Sequence, residues 1–235
     1  SFNSMMPITA LYNYNYTQSI YLQSEINISN QRIESIAFYW NGVAPAPNSR
    51  DWVVYMGHVQ RSQFANAEDW VPVGEMVQVF SGQLNLPDQP GWIEILLDNP
   101  FVYNNTDNLV VAVDENTPNC DGNEQYFYST SSGDLNRGLR YYDDGINPDP
   151  NLPPGGTLVT AFPNIMLQFG DLPTSPILRL SPTTLNFGTV QYGQPNPPIT
   201  VIASNIGSGT LNLSSSDFSL IGPNAAEFSF DTSNL

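Results

Sequence analysis

Ile20-Tyr21-Leu22-Gln23-Ser24-Glu25-Ile26-Asn27-Ile28 carries an apolar residue at every second position except Ser24, which leaves Gln23, Glu25 and Asn27 on the opposite side. That alternation predicts a β-strand with one face in a core. Further apolar runs of strand length follow at Ile36–Trp40, Trp52–Val59, Val77–Phe80, Trp92–Leu97, Leu109–Val113, Gln125–Ser129 and Asn164–Phe169. No window holds an apolar stripe at helical spacing beyond two turns, and 20 Pro and 17 Gly punctuate the chain. Eight or more such strands predict an all-β, jelly-roll-like β-sandwich. Long polar loops at Asn41–Arg50, Gln60–Asp69 and Asn116–Glu124 are where binding residues are expected on such a scaffold.

The chain has 235 residues, 40% of them hydrophobic, which suffices for a sizeable core. Its charge is one-sided: 6 Arg, no Lys and 22 acids give a net charge of −16. Such a chain lacks the basic patch that releases counterions from phosphates, so nucleic acid and anionic membrane surfaces are not expected partners. No stretch approaches the roughly 20 apolar residues of a membrane span, and Ser1-Phe2-Asn3-Ser4 does not begin a signal peptide, so the sequence reads as already processed. Cys120 is the sole cysteine and makes no intramolecular disulfide.

Gly170-Asp171-Leu172-Pro173-Thr174-Ser175-Pro176 ends the Ile165/Leu167/Phe169 alternation with a Pro- and Gly-containing linker. It divides the chain into residues 1–172, with 5 Arg against 19 acids, and residues 173–235, with 1 Arg against 3. The acidity belongs to the first part. In the second, strands are expected at Ile177–Leu180, Leu185–Val190, Ile199–Asn205, Leu211–Leu213 and Phe218–Ile221, with Phe228–Phe230 as a possible sixth.

Leu185-Asn186-Phe187-Gly188-Thr189-Val190, Asn205-Ile206-Gly207-Ser208-Gly209-Thr210-Leu211 and Gly222-Pro223-Asn224-Ala225-Ala226-Glu227-Phe228 together resemble the ASH/choice-of-anchor D family of immunoglobulin-like domains. An immunoglobulin-like sandwich takes about 100 residues, and 59 lie between Ile177 and Leu235. The resemblance therefore implies a partial domain, either cut short or completed by strands of another chain. The first part, most distinctively Asn104-Asn105-Thr106-Asp107-Asn108-Leu109-Val110-Val111-Ala112-Val113-Asp114-Glu115-Asn116, is similar to β-sandwich modules of large Bacteroidetes surface proteins. That resemblance implies export by type IX secretion and a place at the cell surface.

Catalytic signals are weak. His58 is the only histidine, in a strand with Trp52, Val54 and Met56 on its own face, and reads as a packing or hydrogen-bonding residue. Cys120 lies in a polar loop among acids, surroundings that do not favour a nucleophilic thiolate. A non-enzymatic protein is expected. Eight of the 19 acids of the first part fall between Asp114 and Asp149, which suits calcium, a hard cation with oxygen ligands. One candidate set is Asp114, Glu115, Asn116, Asn119, Asp121 and Asn123; a second is Asp143, Asp144, Asn147 and Asp149. Acids that merely solvate loops are the competing reading.

Carbohydrate is the other candidate ligand, because sugar rings stack on exposed aromatic faces. Tyr12, Tyr14 and Tyr16 alternate with Asn and would line one face of a strand; Trp70 and the pair Tyr141 and Tyr142 lie beside acids. Trp40, Trp52 and Trp92 belong to apolar strands and are expected in the core. The function these features imply is adhesion, as a non-enzymatic binding fragment of a larger bacterial surface protein whose partner is a glycan or a cell-surface protein. The alternatives are a structural subunit of a surface filament or sheath, self-associating through open sheet edges, and an accessory carbohydrate-binding module of a secreted polysaccharide-degrading enzyme.

Overall fold

The computed structural model describes residues 2–28, 31–181, 185–189 and 196–234. Among these the chain is all-β. The strands are β1 Phe2–Asn3, β2 Tyr14–Tyr21, β3 Gln31–Trp40, β4 Asp51–Val59, β5 Val77–Gln83, β6 Gly91–Tyr103 and β7 Asn108–Glu115. They continue with β8 Tyr128–Ser131, β9 Gly138–Asp143, β10 Thr157–Val159, β11 Ala161–Pro163, β12 Ile165–Asp171, β13 Leu178–Ser181 and β14 Ile202–Asn205. A single α-helical turn, α1 Gln23–Ile26, follows β2.

All pairings are antiparallel. A six-stranded sheet runs β10-β9-β2-β7-β4-β5, a three-stranded sheet β12-β3-β6, a second three-stranded sheet β1-β8-β11, and β13-β14 form a two-stranded sheet. None of these sheets closes into a barrel among the described residues, and the arrangement is consistent with a β-sandwich.

The main core lies between the first two sheets. Trp52, Val54 and Met56 of β4 and Leu109, Val111 and Val113 of β7 meet Ile33, Ile36, Phe38 and Trp40 of β3 and Ile95 and Leu97 of β6. Trp40 and Trp52 are fully buried here, as expected. The reverse face of the six-stranded sheet is also covered. Tyr16, Ile20, Val110, Ala112 and Leu139 pack beneath Phe64, Trp70, Val71 and Met76 of the connection that follows β4. Gln18 pins that cover reciprocally, its amide donating to Val71 O at 2.8 Å and accepting from Val71 N at 2.8 Å. The Gln60–Asp69 loop is thus partly a lid over a second core.

The expected strand Ile20–Ile28 is corrected: β2 stops at Tyr21, and Gln23–Ile26 turn as a helix. The cause is a polar network that strand pairing does not offer. Glu25 accepts the Leu22 N–H at 3.0 Å, Asn108 Oδ1 accepts the Gln23 N–H at 2.8 Å, and Asn27 closes the turn with φ 44°. In the second part, β13 and β14 match two of the expected strands. The described residues of Leu185–Val190, and the segments Leu211–Leu213, Phe218–Ile221 and Phe228–Phe230, form no strand; Val190 lies outside the described residues. No described helix is long and apolar enough to cross a membrane.

Candidate functional site

The expected aromatic and acidic residues do not gather. Tyr16 is fully buried, its ring 5.0 Å from that of Trp70. Trp70 is 8% exposed and donates its indole N–H to Pro154 O at 2.8 Å, so both belong to the second core and not to an open surface. Tyr12 lies outside β2 and stacks on Tyr142 at 4.2 Å and 24°. Tyr142 pairs with Asn15, on the face opposite Tyr14 and Tyr16, so the three tyrosines do not form one row. Tyr141 shares the Tyr16 side and donates weakly to Asp143 at 3.4 Å.

Asp114 and Glu115 are consecutive buried residues of β7 and point to opposite faces. Asp121 accepts hydrogen bonds from Asn48 N, Asn48 Nδ2 and Ser49 Oγ, which ties the Asn41–Arg50 and Asn116–Glu124 loops together. Asn119 and Asn123 are exposed. These six do not converge as one ligand set. Asn116 instead bridges Asp114 to Asn147 of the second set, while Asp143, Asp144 and Asp149 accept from Gly145 N, Asn13 N and Asn151 N. Among the described residues, no three His, Cys, Asp or Glu side chains stand where they could hold one metal ion. Cys120 is exposed. His58 accepts the Asn104 N–H at 3.1 Å and lies against Phe101 and Tyr103; burial pushes its pKa below the usual value, against the pull of Asp107.

What does gather is a set of aromatics around Trp92. Contrary to expectation, Trp92 is 44% exposed. Its strand alternates, with Ile93, Ile95 and Leu97 turned inward and Trp92, Glu94 and Leu96 outward. Cross-strand pairing sets Trp92 opposite Tyr39, and their rings meet edge-on at 5.2 Å and 71°. Tyr39 meets Tyr128 at 5.6 Å, which meets Tyr126 at 5.2 Å. Four rings therefore form a continuous row.

The core places that row. Phe127 bridges to Trp40 and packs against Phe38, Trp40 and Trp52, which turns Tyr126 and Tyr128 outward by alternation. Asn41 clamps the same segment, accepting the Tyr126 N–H at 3.2 Å, donating its own N–H to Tyr126 O at 3.0 Å and its amide to Glu124 O at 2.6 Å. Next to it, Gly42 has φ +62° and sits where an added Cβ would fall 2.0 Å from the backbone of Gln89 and Pro90. Only glycine lets that connection enter β6 just before Trp92.

Trp92 also forms one wall of a cleft of about 580 Å³. The remaining walls are Tyr21, Glu25, Ile26, Thr130, Phe162, Asn164, Ile165, Leu167 and Phe169. The chain turns a corner here: Pro163 pairs with Ser129 of β8, Ile165 pairs with Phe38 of β3, and Asn164 N between them donates to Tyr128 O at 2.9 Å. Thr130 donates to Asn164 Oδ1 at 2.7 Å, and Tyr21 OH donates to Pro163 O at 3.0 Å. The buried Arg137 grips Glu25 with two hydrogen bonds, of 2.8 and 2.5 Å, donates to Ile20 O at 2.9 Å and lies 3.8 Å over the Phe162 ring. Burial acts to raise the pKa of Glu25, but the Arg137 bonds, the Leu22 N–H and the Arg137 charge outweigh it and hold the carboxyl below its usual value. The cleft is thus lined by apolar and aromatic side chains together with the polar side chains of Glu25, Thr130 and Asn164.

Compared with known proteins, the chain matches no family model, no curated protein and no solved structure.

Proposed function

We propose that the protein is a non-enzymatic extracellular binding protein that receives a sugar in the Trp92 cleft. One observation carries the reading: an indole 44% exposed, braced edge-on by Tyr39, lines a cleft that is otherwise apolar and aromatic and carries the half-exposed Glu25 carboxylate and the Thr130 hydroxyl. A sugar ring has the complementary chemistry, with a C–H face for the indole and hydroxyls for the polar rim. Hydrolysis of a glycosidic bond takes two carboxylates flanking it. Glu25 is the sole carboxylate among the lining residues, and Arg137 engages it. Adhesion, or retention of a larger protein on polysaccharide, is the role such a module serves.

The test is tryptophan fluorescence. Of the four tryptophans Trp92 alone is exposed, so acrylamide reports on it selectively. A bound oligosaccharide should protect it, and Trp92→Ala, which removes the reporter and is therefore followed by titration calorimetry, should weaken binding at least about tenfold. Full acrylamide access at saturating concentrations of every glycan tested would sink the reading.

A second reading, a self-associating subunit of a surface assembly, is favoured by the two-stranded sheet β13–β14. Its Leu178, Leu180 and Ile202 are 42%, 37% and 51% exposed, in a part of the chain with little charge to oppose contact. Light scattering decides it: ordered polymers support assembly, and a monomer at high concentration counts against it.

A further inference from the structure

We infer that the Trp92 cleft is selective for uncharged sugar units and rejects uronic or sulfated ones. The inference rests on the sugar-binding reading and adds the charge of the ligand to it. Recognising an anionic sugar takes a cation with free donors at the site. Here no arginine lines the cleft, and the chain has no lysine. The guanidinium next to the cleft, Arg137, is 3% exposed; its Nε donates to Ile20 O, its Nη1 and Nη2 each donate to Glu25, and Phe162 covers one face. Its charge is already spent on Glu25, whose side chain remains 44% exposed at the cleft wall. The field around the site is negative as well, since residues 1–172 hold 19 acids against 5 Arg. A ligand carboxylate would therefore find no free cation and would face the exposed edge of the Glu25 carboxylate, whose own counter-charge lies buried behind it. A hydroxyl, in contrast, can donate to Glu25.

The experiment pairs neutral oligosaccharides with charged counterparts of the same linkage, such as cello-oligomers with cellouronate and carboxyl-reduced galacturonate with its parent acid. Binding to the whole protein is followed through Trp92 fluorescence. At low salt the neutral member should bind at least about tenfold tighter, the penalty expected for like charges a few ångströms apart in a half-solvated site. In ~0.5 M salt the gap should narrow, because the screening length contracts below about 8 Å. Glu25→Gln frees the guanidinium and should bring the two members within about threefold. If that variant fails to fold, the salt titration of the native protein carries the test. Equal or tighter binding of the acid, a gap that ignores salt, or an unchanged gap in folded E25Q would overturn the charge selectivity alone. Absence of binding by every oligomer, neutral and charged, would overturn the sugar reading and this inference with it.

Discussion

Among the described residues, Glu115 and Asp114 are carboxylates buried with one oxygen each unpartnered. Glu115 is fully buried beside Asn15 and Trp52 in the pairing register, its Oε1 accepts the Thr117 N–H at 2.9 Å, and its Oε2 has no hydrogen-bond partner. Burial pushes its pKa up to about 8, only partly offset by hydrogen bonds from Thr117 and Asn15. Burial likewise lifts Asp114 to about 6, helped by Asp149 and Asp51 and opposed by the Asn116 bond. Both folded pKa values lie above the unfolded ones, so the folded state holds more protons between them. The associated stability is complete below about pH 4 and is lost as pH rises through about 6 and then about 8. Glu25, with its lowered pKa, works the other way, and its contribution fades on acidification. Urea melts should therefore show greatest stability near pH 5 and a steady fall towards pH 9. Glu115→Gln should flatten that fall and stabilise the protein at pH 9 by on the order of 2–4 kcal/mol; an unchanged slope would show that Glu115 ionises without cost. Arg137→Ala should cost about 2–4 kcal/mol in the same assay, because it empties a buried side chain's place against Phe162 and removes the bond to Ile20 O, the loss of the half-exposed Glu25's partner adding little.

At the scale of elements, position within the sheets explains what alternation shows and what it hides. β6, with one face to solvent, carries a readable pattern, and Glu94 marks the outward parity that Trp92 shares. That signal could have found the exposed indole; the weight given to tryptophan as a core residue obscured it. β2 and β7 are central strands buried on both faces, so Tyr14-Asn15-Tyr16-Thr17-Gln18 offers no polarity contrast from which to tell an open face from a covered one. α1 shows the converse failure. An alternating pattern was overruled by the Glu25, Asn108 and Arg137 network, two of whose members are more than 80 residues away. The aromatic row depends on such a distant tie too. Asn41→Ala should remove both side-chain bonds to the Glu124–Tyr126 segment, lower stability by about 1–3 kcal/mol and weaken ligand protection of Trp92, as read by urea melts and acrylamide quenching. Stability and protection both equal to those of the native protein would show that Phe127 alone holds the row.

The whole molecule divides by burial. Residues up to Asp171 contain both hydrophobic clusters, whereas among the described residues beyond it Gly207 alone is buried. Limited proteolysis should therefore cut within residues 172–234 first and leave a resistant fragment ending near Asp171, identifiable by mass spectrometry. Early cleavage within the strands before Asp171 would refute that order.

Composition and period sufficed for the all-β class, for most strand positions before Asp171 and for the negative charge, because these follow from local side-chain chemistry summed along the chain. The cleft did not follow from them. Trp92, Tyr39, Tyr126 and Tyr128 meet only through β3–β6 pairing and the insertion of Phe127 beside Trp40, and Glu25 becomes a cleft wall only because Arg137 reaches it from across the sheet. The burial of Tyr16 and Trp70 likewise depends on a segment folding back over the second face. Which aromatic rings face water is thus a property of how sheets and loops cover one another, and that covering is decided by contacts between residues far apart in sequence.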